Sequence, residues 1–137
     1  MKRFSQYGYS VIVLVAWLFQ PAGAFTQDQS LTLTPGVYVR EPAPCKGAPN
    51  AAIMSWDGAG FSGPHSSKCK SKVLQKNGAK YQVSTSCSAQ GDGSPNPNGN
   101  PYVEAFLLTR VSSTRFTIAK EKQPEGAYRW CSARVED

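Results

Sequence analysis

Histidine is almost missing from this sequence, because His65 is the only one in 137 residues. A metal site that needs several histidines is therefore excluded, and any Ser-His-Asp arrangement must use His65. The four cysteines, at positions 45, 69, 87 and 131, form no close C-x-x-C pair. They lack the spacing of a structural zinc site. We therefore expect neither a metal nor a cofactor.

Long apolar runs are missing too. Residues 10–19 are almost all apolar, but such a run is about half of what a membrane-spanning helix needs. It follows Lys2 and Arg3 and precedes Ala22-Gly23-Ala24, which is the order of a secretory signal peptide. We predict a signal peptide over 1–24, with an N-terminal membrane anchor as the alternative. Residues 25–137 are then a single exported domain, periplasmic or extracellular and of bacterial type, with no transmembrane segment after cleavage.

Helical periodicity is weak throughout the rest of the chain, whereas strand signals recur between turn residues. Asn77-Gly78 is a strong hairpin signal, because both residues tolerate the positive φ of a type I′ turn. Irregular loops are expected at about 57–67 and 90–100. The pattern predicts an all-β fold, a small antiparallel meander of six or seven strands that closes as a barrel or sandwich. The predicted strands are 35–41, 50–56, 68–75, 79–89, 101–111, 114–121 and 127–135.

The strand at 101–111 is apolar on both faces, so we expect it to be covered on both sides. An even number of cysteines in an exported chain of this size indicates two disulfides. Three pairings are open. Closure of the meander would bring Cys87 beside Cys131, and Cys45 with Cys69 would then bracket the glycine-rich insertion. On that geometry we favour Cys45–Cys69 with Cys87–Cys131.

Charge of one sign is not concentrated enough to indicate a nucleic-acid partner. The formal charge is +6, and no block holds five like charges. The export signal argues against nucleic acid as well. Lys68, Lys70 and Lys72 alternate along a predicted strand and project from one face, about 7 Å apart. They form either a surface for an anionic partner or the protection of an edge strand against association.

Residues 55–72 collect the reactive residue types of the chain. Ser62 and His65 suggest hydrolysis, with Asp57 or Asp92 as the orienting carboxylate, but Ser62 is out of frame for a nucleophile elbow. We expect His65 to be a loop residue without a catalytic role. Asp92 also begins an oxygen-rich run that resembles a calcium loop but lacks its glycine and final glutamate. We predict no catalytic residues and no metal ligands.

The function that the sequence favours is non-enzymatic binding. A small exported, disulfide-stabilised protein, for example an inhibitor or immunity-type protein, would contact a protein or glycan partner through the loop and strand at 56–72. That partner is anionic if the lysine row takes part. The alternatives are an envelope-associated ligand-carrying or structural β-barrel and, less favoured, a hydrolase. The predicted binding residues are Trp56, Phe61, His65, Lys68, Lys70 and Lys72. Trp56 and Phe61 are expected to be partly exposed.

Overall fold

The computed structural model describes residues 30–134, and the described residues form one antiparallel sheet of eight strands. The predicted signal peptide lies outside the described residues. A short 3₁₀ helix (Asn50–Ala52) precedes the second strand. The strands are β1 (Gly36–Arg40), β2 (Ile53–Trp56), β3 (Phe61–Ser62), β4 (Ser67–Asn77), β5 (Lys80–Ala89), β6 (Tyr102–Ser112), β7 (Arg115–Lys120) and β8 (Gln123–Ser132).

The strands are ordered β3-β2-β1-β8-β7-β6-β5-β4 in a nearly closed barrel. Every ladder joins strands that are neighbours in sequence, except the one between β1 and β8. The predicted all-β meander is confirmed. The strand count is slightly different because β3 has only two residues, which is too short to show an alternating pattern.

The barrel closes between β3 and β4 without a ladder. The Ser71 amide donates to the Ala59 carbonyl at 2.8 Å. The Phe61 amide donates to Ser71 Oγ at 3.0 Å, and Ser71 Oγ lies 2.6 Å from Thr85 Oγ1 on β5. One serine therefore links three strands and satisfies the buried Thr85 hydroxyl, which lies in an otherwise apolar wall.

Apolar side chains fill the lumen of the barrel. Tyr81, Val83, Thr85 and Cys87 share the inner face of β5, as the alternation predicted. The expected cover on both sides of β6 is not found, because Val103 and Val111 are each 61% exposed. The strand that is buried on both faces is β1. The core cluster consists of Leu31, Leu33, Tyr38, Trp56, Phe61, Tyr81, Val83, Phe106, Leu108, Phe116 and Ile118.

The favoured disulfide pairing is wrong. The bridges are Cys45–Cys131 and Cys69–Cys87. The hairpin of β4 and β5 places Cys69 directly opposite Cys87, with a Cα–Cα distance of 4.0 Å. The last strand pairs with β1 rather than β5, so Cys131 lies near Cys45, which follows β1. Arg129 also donates to the Ala43 carbonyl at 2.7 Å, which holds the segment after β1 against β8.

The two ends of the barrel differ. At one end the segment 30–35 inserts Leu31 and Leu33 into the core, and the Thr34 amide donates to the Ser113 carbonyl. The buried Tyr38 hydroxyl donates to the Thr34 and Ser113 carbonyls at 2.6 and 3.2 Å. The longest connections, 41–52, 63–66 and 90–101, all lie at the opposite end. That end is therefore the one built from irregular loops.

Replacement of Tyr38 by phenylalanine is expected to remove an alkaline-sensitive part of the stability. Burial raises the pKa of Tyr38 above its ordinary value of 10.0. The contribution of the neutral hydroxyl is therefore fully present below that value and is lost as pH rises through the higher folded-state pKa. The variant should lose about 1 kcal/mol near neutral pH. Denaturant unfolding from about pH 7 to about pH 11 measures both effects. If the free energy of unfolding of Tyr38→Phe falls as steeply at alkaline pH as that of the parent protein, Tyr38 is not the source of the alkaline loss.

Candidate functional site

The loop-built end of the barrel opens into a cavity of about 690 Å³, here called the mouth cavity. This volume is in the range of sites that enclose a small ligand. Strand alternation directs the residues at 102, 104 and 106 on β6, and Lys120 on β7, to the inner face. The cavity is lined by Ala51, Ile53, Met54, Phe61, Ser62, Gly63, Pro64, His65, Ser66, Thr85, Cys87, Gln90, Asn96, Pro97, Asn98, Asn100, Pro101, Tyr102, Glu104, Phe106, Lys120 and Tyr128.

Aromatic rings form the floor and one wall of the mouth cavity. The rings of Phe61 and Phe106 meet edge to face, with their centroids 5.7 Å apart. Tyr128 is stacked on the core residue Phe116 at 5.4 Å, which fixes the orientation of its ring. Tyr102 also lines the cavity and is 55% exposed. The cavity therefore offers flat apolar faces that are held by the core, together with one ring that can adjust.

One ion pair lies inside the mouth cavity. Lys120 Nζ is 2.6 Å from Glu104 Oε1, and both side chains are only partly exposed. The ammonium group also lies 6.0 Å from the centroid of Phe106. Each charge is therefore close to its counter-ion and is still accessible to a ligand in the cavity. A ligand group of either sign therefore has a charged partner at the same place.

Amide and hydroxyl groups form the rim of the mouth cavity. Asn96 Nδ2 donates to the Cys87 and Asn100 carbonyls at 3.0 and 2.9 Å, so the two donors of this amide hold the loop. Gln90 Nε2 donates in the same way to Ser94 Oγ and the Pro95 carbonyl. These bonds orient the side chains of the predicted loop at 90–100. The rim is therefore more ordered than its low-complexity sequence indicates.

The two loops of the rim contact each other through their backbones. A Cβ added at Gly91 would lie 1.9 Å from the Pro64 carbonyl oxygen, so only glycine fits at this position. Ser67 Oγ also donates to the Gln90 carbonyl at 2.5 Å. The loop at 63–66 and the loop at 90–101 therefore make one continuous edge of the cavity.

The structure divides the predicted binding residues into three groups. The first is Trp56, which packs on Phe61 with a centroid distance of 4.6 Å and belongs to the core. Trp56 and Phe61 are only 7% and 3% exposed, so the partial exposure expected for both is not found. The second group lines the mouth cavity: Phe61 is buried at its floor, and His65 is exposed on its rim. The third group, Lys68, Lys70 and Lys72, is exposed on β4, outside the cavity.

Ser62 and His65 both line the mouth cavity, but no hydrogen bond joins them in the part of the chain that the structure describes. Asp57 accepts from the Ala59 and Gly60 amides at 2.8 and 2.7 Å, within its own turn. Asp92 accepts from the Ser94 hydroxyl and amide, and the hydroxyl bond is the main reason that the pKa of Asp92 is lowered. Neither aspartate orients His65. Among residues 30–134, no three His, Cys, Asp or Glu side chains are grouped to hold a metal ion.

Tyr102, Glu104, Phe106 and Lys120 were not among the predicted binding residues. The signal that would have found them is strand alternation. Residues 102, 104 and 106 share a face of β6, and Lys120 shares the face of Phe116 and Ile118 on β7. On both strands the inner face is apolar until it reaches a charged residue, Glu104 on β6 and Lys120 on β7. Such a change from apolar to charged residues indicates where the lumen opens to solvent.

Comparisons with protein-family models, with curated proteins and with solved structures found no match for this chain. Across residues 30–134, every helix is too short or too polar to cross a membrane.

Proposed function

We propose that this chain is an exported, non-enzymatic binding protein that takes a glycan in its mouth cavity. The observation that carries the proposal is the combination of aromatic faces with an amide-lined rim around one open cavity. The proposal keeps the predicted binding role of the 56–72 segment in part. Phe61, Ser62 and His65 belong to the cavity, whereas Trp56 belongs to the core.

A sugar ring matches the two kinds of surface that the cavity presents. Its C–H faces are apolar and pack on aromatic rings such as Tyr102 and Tyr128. Its hydroxyl groups both donate and accept, and the rim offers serine hydroxyls together with the amide oxygens of Asn96 and Gln90, whose NH₂ groups already hold the loop. A glycan can therefore satisfy the polar rim and cover the apolar floor in the same pose. A purely apolar ligand would displace water from the amide oxygens of the rim and from the Glu104–Lys120 pair without replacing its hydrogen bonds.

Two disulfides in a chain of this size are compatible with export, which the signal-peptide pattern at residues 1–24 predicts. The core counts against a carrier that encloses its ligand. Below the mouth cavity the lumen is filled by buried side chains such as Tyr38, Leu108 and Phe116. The mouth cavity is open at the loop-built end and closed below by the core, so the end of a longer glycan fits the site better than a fully enclosed molecule.

The exposed ring of Tyr102 provides the sharpest test of this proposal. Tyr102→Ala is expected to weaken saccharide binding about tenfold, because it removes one aromatic face from the cavity. Val103→Ala is the matched control, since Val103 is the next residue on β6, is 61% exposed, and lies on the outer face. Both variants should retain the stability of the parent protein. The measurement is binding of the oxidised protein to an array of immobilised neutral and charged oligosaccharides.

The proposal is supported if the parent protein and Val103→Ala bind the same saccharides while Tyr102→Ala binds them more weakly. It is rejected if the parent protein binds no saccharide on the array. Equal loss of binding in both variants would also reject it, because the outer face of β6 would then be the site.

A further inference from the structure

The lysine row, defined as Lys68, Lys70 and Lys72, begins at the rim of the mouth cavity. Ser67 belongs to the rim through its bond to the Gln90 carbonyl, and Lys68 is the next residue. Ser88 Oγ donates to the Lys68 carbonyl at 3.4 Å, which ties this end of β4 to β5. From Lys68 the row runs down the outer face of β4, away from the cavity. A ligand that leaves the cavity over this rim meets the row directly.

No acidic residue neutralises the lysine row in the sequence around it. Residues 58–91 contain five lysines and no Asp or Glu. Within residues 30–134, the two ion pairs are Arg115–Glu41 and Lys120–Glu104, and neither involves the row. Three like charges at alternate positions repel one another, so their placement favours an external anion.

The residues beside the lysine row are suited to contacts with an anion. Lys70 is paired with Ser86 and Lys72 with Ser84 across the ladder between β4 and β5. The outer face of β5 therefore places hydroxyl groups next to the ammonium groups. Hydroxyl groups donate to carboxylate, sulfate or phosphate oxygens, and they add no competing negative charge.

Protection of an open strand edge does not account for the row. The edge of β4 beside the row is already covered, because the Ser71 amide donates to the Ala59 carbonyl. Gly60 is packed so closely on the backbone of Cys69 that an added Cβ would lie 2.2 Å from its carbonyl oxygen. An edge that is occupied in this way needs no charged residues to prevent association.

We infer that the mouth cavity and the lysine row form one continuous site for an anionic polysaccharide. The end of the chain occupies the cavity, and its charged units follow the row down β4. This inference rests on the proposed function and names the chemical class of its ligand. The charge complementarity supplies on-rate and selectivity, while the cavity supplies the shape of the site.

Oligogalacturonate, a linear chain of uronic acids, tests the inference together with its fully methyl-esterified form, which has the same sugar chain without the charges. Lys68→Gln/Lys70→Gln/Lys72→Gln should bind the charged form about tenfold more weakly and the esterified form equally well. Lys46→Gln/Lys122→Gln/Arg134→Gln is the matched control, because it removes three exposed charges that belong neither to β4 or β5 nor to the lining of the mouth cavity. The measurement is isothermal titration of the oxidised proteins at low salt, repeated at high salt, where the difference should shrink.

The result that overturns the inference alone is equal affinity of the parent protein for the two forms, with no effect of the row variant. Failure to bind either form overturns the inference, and the proposed saccharide site is rejected with it only if the parent protein also binds nothing on the oligosaccharide array. Row-dependent binding that Tyr102→Ala leaves unchanged overturns the continuity of the two surfaces. Retention on phosphatidylglycerol vesicles that depends on the row, without binding of oligogalacturonate, assigns the row to an anionic membrane surface and overturns the inference too.

Discussion

Removal of the Cys45–Cys131 bridge is expected to lower the free energy of unfolding by about 4.5 kcal/mol, because the bridge spans 86 residues. The Cys69–Cys87 bridge spans 18 residues and is expected to contribute about 3 kcal/mol by the same loop-closure argument. A domain of this size has a total stability of about 5–15 kcal/mol, so the first loss is a large part of it. The two bridges should therefore differ measurably.

The variants for this comparison are Cys45→Ala/Cys131→Ala and Cys69→Val/Cys87→Ala. The second pair is buried, and valine with alanine replaces part of the volume that the sulfur atoms occupy. Denaturant unfolding of both variants and of the oxidised parent protein measures the two losses. A larger loss in the Cys69/Cys87 variant would contradict the loop-length argument. Non-reducing peptide mapping that joins Cys45 to Cys69 would contradict the connectivity itself.

Leu108→Ala is expected to destabilise the protein by about 3–4 kcal/mol, because it opens a cavity in a filled lumen. Leu108 is completely buried, and its strand neighbours are Tyr81 on β5 and Ile118 on β7. These neighbours are held in a closed sheet and cannot collapse fully into the space. The free energy of unfolding from denaturant titration measures the loss.

The adjacent residue is a matched control for Leu108→Ala. Leu107→Ala deletes the same atoms from the same strand, but Leu107 is 41% exposed on the outer face. We expect it to cost less than about 1 kcal/mol. Folded Leu108→Ala should still bind the saccharides that the parent protein binds, since Leu108 does not line the mouth cavity. Equal destabilisation by the two substitutions would mean that the outer face of β6 is covered in solution.

Much of the fold follows from local patterns in the sequence. The alternation on β5 and β7 depends on side chains two residues apart, and Asn77-Gly78 encodes its own hairpin. A short strand such as β3 is defined only by its partner, so its sequence carries no signal of its own. The predicted burial of both faces of β6 was wrong for a similar reason. An apolar outer face does not reveal from sequence whether another element packs on it.

The disulfide error shows why pairings at long range could not be predicted. Cys69 and Cys87 are joined by a hairpin whose register the turn determines, but the choice between local and distant partners depends on which strands meet at closure. The prediction placed β5 beside the last strand, whereas β8 pairs with β1. Cys131 was therefore assigned to the wrong neighbour, and Cys69 lost its partner across the hairpin.

Taken by itself, the sequence determined the all-β class, the hairpin, the inner faces of β5 and β7 and the lysine row, because all of these depend on residues close together in the chain. Only the tertiary structure decided that Trp56 is a core residue, that β8 closes on β1, and that the loops at 63–66 and 90–101 share one rim. The mouth cavity also depends on the tertiary structure, because its lining residues come from strands and loops far apart in the sequence. Glu104 and Lys120 meet through the hairpin of β6 and β7, but barrel closure and the loops of the opposite strands turn their position into the opening of a cavity.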